Sequence, residues 1–221
     1  MKRSRLSRGL QVLYLDVIVG LILAAVLAPI SGVIVAVTRT EATGALLDIT
    51  GLISDIVSIA FICAGLILLW QVHRGYRYAL VAKLLEYVLG FATELPQLSG
   101  ISTALSLAAV IPGFFYIWLF IRTTNGFLRL KGEDTLIVRG KTVLILWLGS
   151  AALSAVVLLL LDPDNMESVL TAAGPTLLAA VVGSVSGIML LIYTIQASSA
   201  LKDWPPEMET LPPETPSQES A

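Results

Sequence analysis

Long apolar blocks constrain this chain more than any other feature. Residues 101–121, 142–161 and 169–195 run without one charged side chain. Residues 12–37 carry only Asp16, and residues 46–70 only Asp48 and Asp55. A helix needs about 20 predominantly apolar residues to cross the hydrocarbon core of a bilayer. Only 14% of the 221 residues are charged, against about a quarter in a soluble domain. The blocks are also apolar all round rather than along one stripe, which excludes a water-soluble fold.

The remaining segment, 78–95, is the weakest span, because it contains Lys83, Glu86 and Glu94. Charge placement argues that it crosses. Lys and Arg collect in short cytoplasmic loops. With six spans and the N-terminus inside, every Lys and Arg except Arg39 lies in a cytoplasmic region or at a cytoplasmic helix end. If 78–95 does not cross, the loop holding Arg122, Arg129, Lys131, Arg139 and Lys141 moves outside and the basic residues divide evenly. The sequence therefore predicts an all-α bundle of six transmembrane helices at about 12–37, 46–70, 78–95, 101–121, 142–161 and 169–195. Both termini face the cytoplasm, in a cell (plasma or inner) membrane.

The N-terminal MKRSRLSRG and the apolar run after it resemble a secretory signal, with Val26-Leu27-Ala28 as a cleavage site. A signal's apolar region is about 7–15 residues. The longer run here favours an uncleaved first helix. Residues 202–221 are rich in Pro and Glu, cannot bury a core and read as a disordered tail. Pro213-Glu214-Thr215-Pro216 fits a PxxP pattern, which is weak evidence for a ligand of that kind. The chain also reads as three hairpins, without side-chain identity strong enough to establish a repeat.

The loop 122–141 is polar, with Phe127, Leu128 and Leu130 among its basic residues. Asp134 or Thr135 is placed to cap a fifth helix that starts before the membrane. The basic loops predict contact with anionic lipid headgroups, and a cytosolic partner is the sharper alternative. A net charge of −2 gives no ground for a nucleic-acid partner.

Ionisable groups inside a bilayer are costly, at about 2.5–3.5 kcal/mol each on insertion scales. They pair, face the bundle interior or exchange protons. Lys83 and Glu86 are three apart and share a helix face with Gly90 and Glu94. Asp48, Asp55 and Ser58 line one face of the second helix, and Asp16 sits on a small-residue stripe of the first. Packing these stripes together buries the charges. Asp55, Glu86 and Glu94 are thus candidate ion- or proton-binding residues, while Asp16 and Lys83 read as structural polar groups. Gly183 and Gly187 form a GxxxG pair suited to close helix packing, within the chain or between copies. Pro29, Pro112 and Pro175 interrupt helices, as in transport proteins and in inert helices alike.

Enzyme chemistry has little support. With one His and one Cys, no Cys/His metal cage can form. HExxH and P-loop motifs are absent. Gly183-Ser184-Val185-Ser186-Gly187 has Val, not Ser, at the nucleophile position of a GxSxG turn. The sequence predicts no cofactor and no metal. Two functional classes remain: a small proton- or cation-linked permease or channel-like protein, and a non-catalytic membrane subunit or scaffold. The second binds another membrane protein or a further copy of the chain.

Overall fold

The computed structural model of the protein describes residues 4–19, 42–93, 95–160 and 166–205. All regular structure in them is helical. Residues 5–19 form α1, Ala42–Trp70 α2, Arg74–Thr93 α3, Ser102–Leu130 α4, Asp134–Leu160 α5 and Met166–Ala200 α6. A 3₁₀ turn, Pro96–Ile101, leads into α4. Glu94, Asp48, the Val26–Ala28 cleavage motif, Pro29 and residues 206–221 lie outside the described residues or side chains.

Three helical stretches are long and apolar enough to cross a membrane: Ser102–Leu130, Asp134–Leu159 and Ala173–Ala200. The described side chains of α2 add a shorter apolar stretch, Asp55–Trp70. At about 1.5 Å per residue, α4 is about 44 Å long, against about 30 Å of hydrocarbon core. It therefore overhangs by more than two turns.

The early start expected for the fifth helix is present at Asp134. Helix α4 runs on to Leu130 and so shortens the polar loop expected at 122–141 to a turn of Lys131, Gly132 and Glu133. The helix persists because Phe120, Thr124, Phe127 and Leu128 recur at helical spacing and are all buried. Gly132 ends α4 at φ 77°. Its N–H donates to Arg129 O at 3.0 Å, and the Glu133 N–H donates to Leu128 O at 3.0 Å. This is a Schellman closure, in which a left-handed residue suits glycine. Asp134 stands in the first turn of α5, where its charge complements the helix dipole.

The core lies at this same end. Tyr76, Phe120, Phe127, Tyr193, Leu6, Leu66, Leu69 and Leu201 are essentially inaccessible. Phe127 is its hub. The ring meets His73 edge-on at 5.8 Å, stacks with Tyr76 at 6.5 Å and meets Trp204 edge-on at 5.5 Å. One side chain thus ties the α2–α3 turn, α3, α4 and the segment after α6. Trp204 is buried, so ordered packing reaches into the stretch that composition assigns to the tail.

Most polar groups in this core are satisfied locally, the buried Trp204 Nε1 being without a hydrogen-bond partner. The Thr124 hydroxyl donates to Phe120 O at 2.8 Å, which leaves the Tyr76 hydroxyl to donate to Thr124 at 2.9 Å. The Tyr193 hydroxyl donates to Asn125 Oδ1 at 2.9 Å. His73 caps α3 by accepting the Gly75 N–H on Nδ1 at 2.9 Å.

Helix α1 is clasped to the end of α6. Ser4 accepts the Ser7 N–H at 3.1 Å as an N-cap, and its hydroxyl donates to Leu201 O at 2.8 Å. The Ser7 hydroxyl donates to Ser198 O at 2.9 Å, and the Ser198 hydroxyl to Ser7 O at 3.1 Å. On its other side α1 approaches α2 through Gly9 and Gly65. A Cβ on Gly9 would stand 2.6 Å from Leu69 Cγ, and one on Gly65 would stand 2.7 Å from Leu13 Cγ.

Removing the hub tests this account. Phe127→Ala is expected to lower stability by about 3–5 kcal/mol, the range for emptying a buried Phe site. Thermal unfolding of detergent-solubilised protein measures it. Phe115→Ala, at a side chain 46% exposed, is expected to cost less than about 1 kcal/mol.

Candidate functional site

Helix α3 is inside-out. Tyr78, Val81, Leu84, Leu85, Val88 and Phe91 are exposed. Ala79 and Leu80 are buried, and Lys83, Glu86 and Tyr87 follow on their side at helical spacing. An apolar outer face and a charged inner face suit a helix bathed in lipid.

Lys83 and Glu86 meet as the sequence spacing predicts. Lys83 Nζ lies 2.9 Å from Glu86 Oε1, with side chains 14% and 28% exposed. Two rings enclose the ammonium: Nζ stands 4.7 Å from the Tyr87 centroid and 5.2 Å from that of Tyr116. Their π faces attract the cation. Tyr116 comes from α4, so the ion pair also fastens α3 to α4.

The second oxygen of Glu86 is different. Oε2 is buried and has no hydrogen-bond partner. It lies against Gly113 of α4, where an added Cβ would stand 3.1 Å from both Cδ and Oε2. Glycine at 113 leaves the carboxylate its room. Pro112 beside it removes one rung of the α4 hydrogen-bond ladder.

A second carboxylate completes the cluster. Asp16 of α1 accepts a hydrogen bond from the Ser58 hydroxyl of α2 at 3.3 Å and lies in electrostatic reach of Lys83. Tyr87 approaches the same Ser58 hydroxyl. Four helices thus place Asp16, Lys83 and Glu86 around two tyrosines. With all three ionised, two negative charges face one positive charge.

Glu86 also lines a groove of about 280 Å³ between α3, α4 and α5. Ser106, Ala109, Val110 and Gly113 form the α4 wall, and Trp147, Ser150, Ala151 and Ser154 the α5 wall. Each set is a helical stripe with steps of three or four. The Ser150 hydroxyl reaches toward Ala179 O of α6 at 3.4 Å.

Of the other sequence candidates, Glu94 lies outside the described residues, and Asp55 is exposed on α2, on the line of Ser58 and Ile62. Gly90, at a comparable distance from the turn along α3, would find nothing within 4 Å of an added Cβ. Gly183 faces α5, with an added Cβ 3.0 Å from Ser150 Oγ, whereas Gly187 faces open space. Spacing places Ser58 and Tyr87 on the polar stripes of their helices, but it does not reveal Tyr116 or Gly113 of α4 as their neighbours. The Trp147–Ser150–Ser154 stripe is visible in the sequence once α5 is known to face the charged helix.

The ion pair has a measurable signature. Lys83→Met is expected to cost between the about 1 kcal/mol of an exposed pair and the about 3–5 kcal/mol of a fully buried one, because it strands Glu86. Adding Glu86→Gln to Lys83→Met is expected to recover part of that loss. A double-mutant cycle on thermal stability reads the coupling.

The chain matches no family model, no curated protein and no solved structure, so the chemistry of the cluster rests on its own geometry.

Proposed function

We propose that the protein is a small proton- or cation-linked permease of the cell membrane, with Glu86 as its exchanging group. The reading assigns six spans with both termini cytoplasmic. One observation carries it: a carboxylate in an apolar bundle has one oxygen paired to Lys83, while the other is unpartnered beside a groove. An ionisable group within an apolar bundle is costly, and such groups mark ion and proton paths.

The topology draws support from where helix ends meet. The Ser4 N–H donates to Lys202 O at 3.2 Å. The α2–α3 turn and the α4 end join the same core through His73 and Phe127. Lys131 donates to Ala200 O, and Arg139 to Gln196. The basic ends therefore gather on one side, as the positive-inside rule requires of a cytoplasmic face.

In this reading Lys83 is the fixed counter-ion of Glu86. Asp16 sets the balance of the cluster from the α1 side. Asp55 takes no part.

Reconstitution tests the assignment. In liposomes carrying a pH-sensitive dye and an imposed potential, the wild-type chain is expected to conduct protons or alkali cations above empty vesicles. Glu86→Gln is expected to fall to the empty-vesicle level, while Asp55→Asn retains most of the flux. Flux untouched by Glu86→Gln would instead favour a structural membrane subunit.

Topology is tested separately by single-cysteine labelling in a Cys63→Ser background. Reporters at Lys131 and Asp203 are expected to react from one side of sealed vesicles, and one at Gln97 from the other. Labelling of Lys131 and Gln97 from the same side would rule out the six-span arrangement.

A further inference from the structure

We propose that the groove beside Glu86 binds a small primary ammonium ion as a partner of its carboxylate. The inference rests on the reading of Glu86 as an exchanging group and names what it exchanges.

Charge gives the first argument. Asp16, Lys83 and Glu86 carry one net negative charge when ionised. Further groups around them are Ser58, Tyr87 and Tyr116, none of them cationic. The groove lining contains one carboxylate and no basic side chain. An anionic ligand finds no partner there, whereas a single positive charge completes the balance.

The donor set gives the second. Divalent cations call for about six or more oxygens at short range. This groove is lined by Glu86, whose Oε2 is buried and unpartnered against Gly113, by three serines and by Trp147. The Ser150 hydroxyl directs its proton toward Ala179 O, so it meets a ligand through its lone pairs. An acceptor-rich lining selects N–H donors, and a primary ammonium carries three of them. Trp offers the strongest aromatic face for a cation.

The protein supplies its own precedent one turn away. The Lys83 ammonium sits 2.9 Å from Glu86 Oε1 under two aromatic rings. A free ammonium in the groove repeats those elements on the Oε2 side, with Trp147 in place of the tyrosines. The volume, near the lower end of the usual range for ligand sites, suits an amine bearing one small ring or a short chain.

The test is calorimetry on the full chain in phosphatidylcholine nanodiscs, with empty nanodiscs as background. The probes are 2-phenylethylammonium chloride and its neutral isostere 2-phenylethanol. The ammonium is expected to bind and the alcohol to bind at least about tenfold more weakly, as for loss of a charge-assisted hydrogen bond. Glu86→Gln is expected to abolish binding. Trp147→Phe is expected to weaken it several-fold, and this variant serves if Glu86→Gln does not fold. Equal binding of amine and alcohol, or amine binding that survives both substitutions, overturns the proposal. Glu86-dependent proton flux without amine binding overturns it too and leaves the permease reading standing. Amine binding without flux upholds the site and removes that reading.

Discussion

Lipid gives no reward for pressing one apolar helix face against another, and the rest of the structure follows from that constraint. Within the spanning part of α5, Ile145, Leu148, Val156 and Leu159 are exposed. They need no protein partner if hydrocarbon surrounds them. Burial among the described residues is concentrated instead at the end where the α2–α3 turn, the end of α4 and the segment after α6 meet, and there Phe127, Tyr76, Leu69, Leu201 and Trp204 pack together. The packed core is thus the basic end of the molecule.

The same constraint inverts α3. In water, Lys83 and Glu86 would face outward and Val81, Leu85 and Val88 inward. Here the charged pair turns to the neighbours that can satisfy it, and the aliphatic side chains turn out. Inside the bundle, interhelical contact then depends on specific polar and aromatic groups. Ser58 reaches Asp16, Tyr116 covers Lys83, and Gly113 admits Glu86. These contacts join α1 to α2 and α3 to α4.

Much of this was legible in the sequence. The apolar blocks locate α4, α5 and α6, and the three-residue spacing of Lys83 and Glu86 foretells their ion pair. The loop 122–141 misled because its basic residues dominate its composition, while Phe120, Thr124, Phe127 and Leu128 carry the helical period. Asp55 is exposed on α2, which its distance along the helix does not foretell. Asp16 stands nearer to Lys83 than spacing within one helix can reveal. Tyr87 shares the stripe of Lys83 and Glu86, but Tyr116 over the same ammonium was hidden, since its place depends on the register of α4 against α3.

The form of the cluster separates a structural lock from an exchanging site. A lock built only for packing reaches its lowest energy when charges cancel and every buried polar atom is paired, because unpaired groups in low dielectric are costly. The clasp between Ser4, Ser7, Ser198 and Leu201 has that form, with donor and acceptor matched. The Glu86 site does not. It keeps one oxygen unpaired, sets two carboxylates against one ammonium, and stands beside a groove edged with hydroxyls. On the proposed reading, a ligand cation closes that imbalance. Gly113 leaves the carboxylate its room, since a methyl group there would press on it at 3.1 Å.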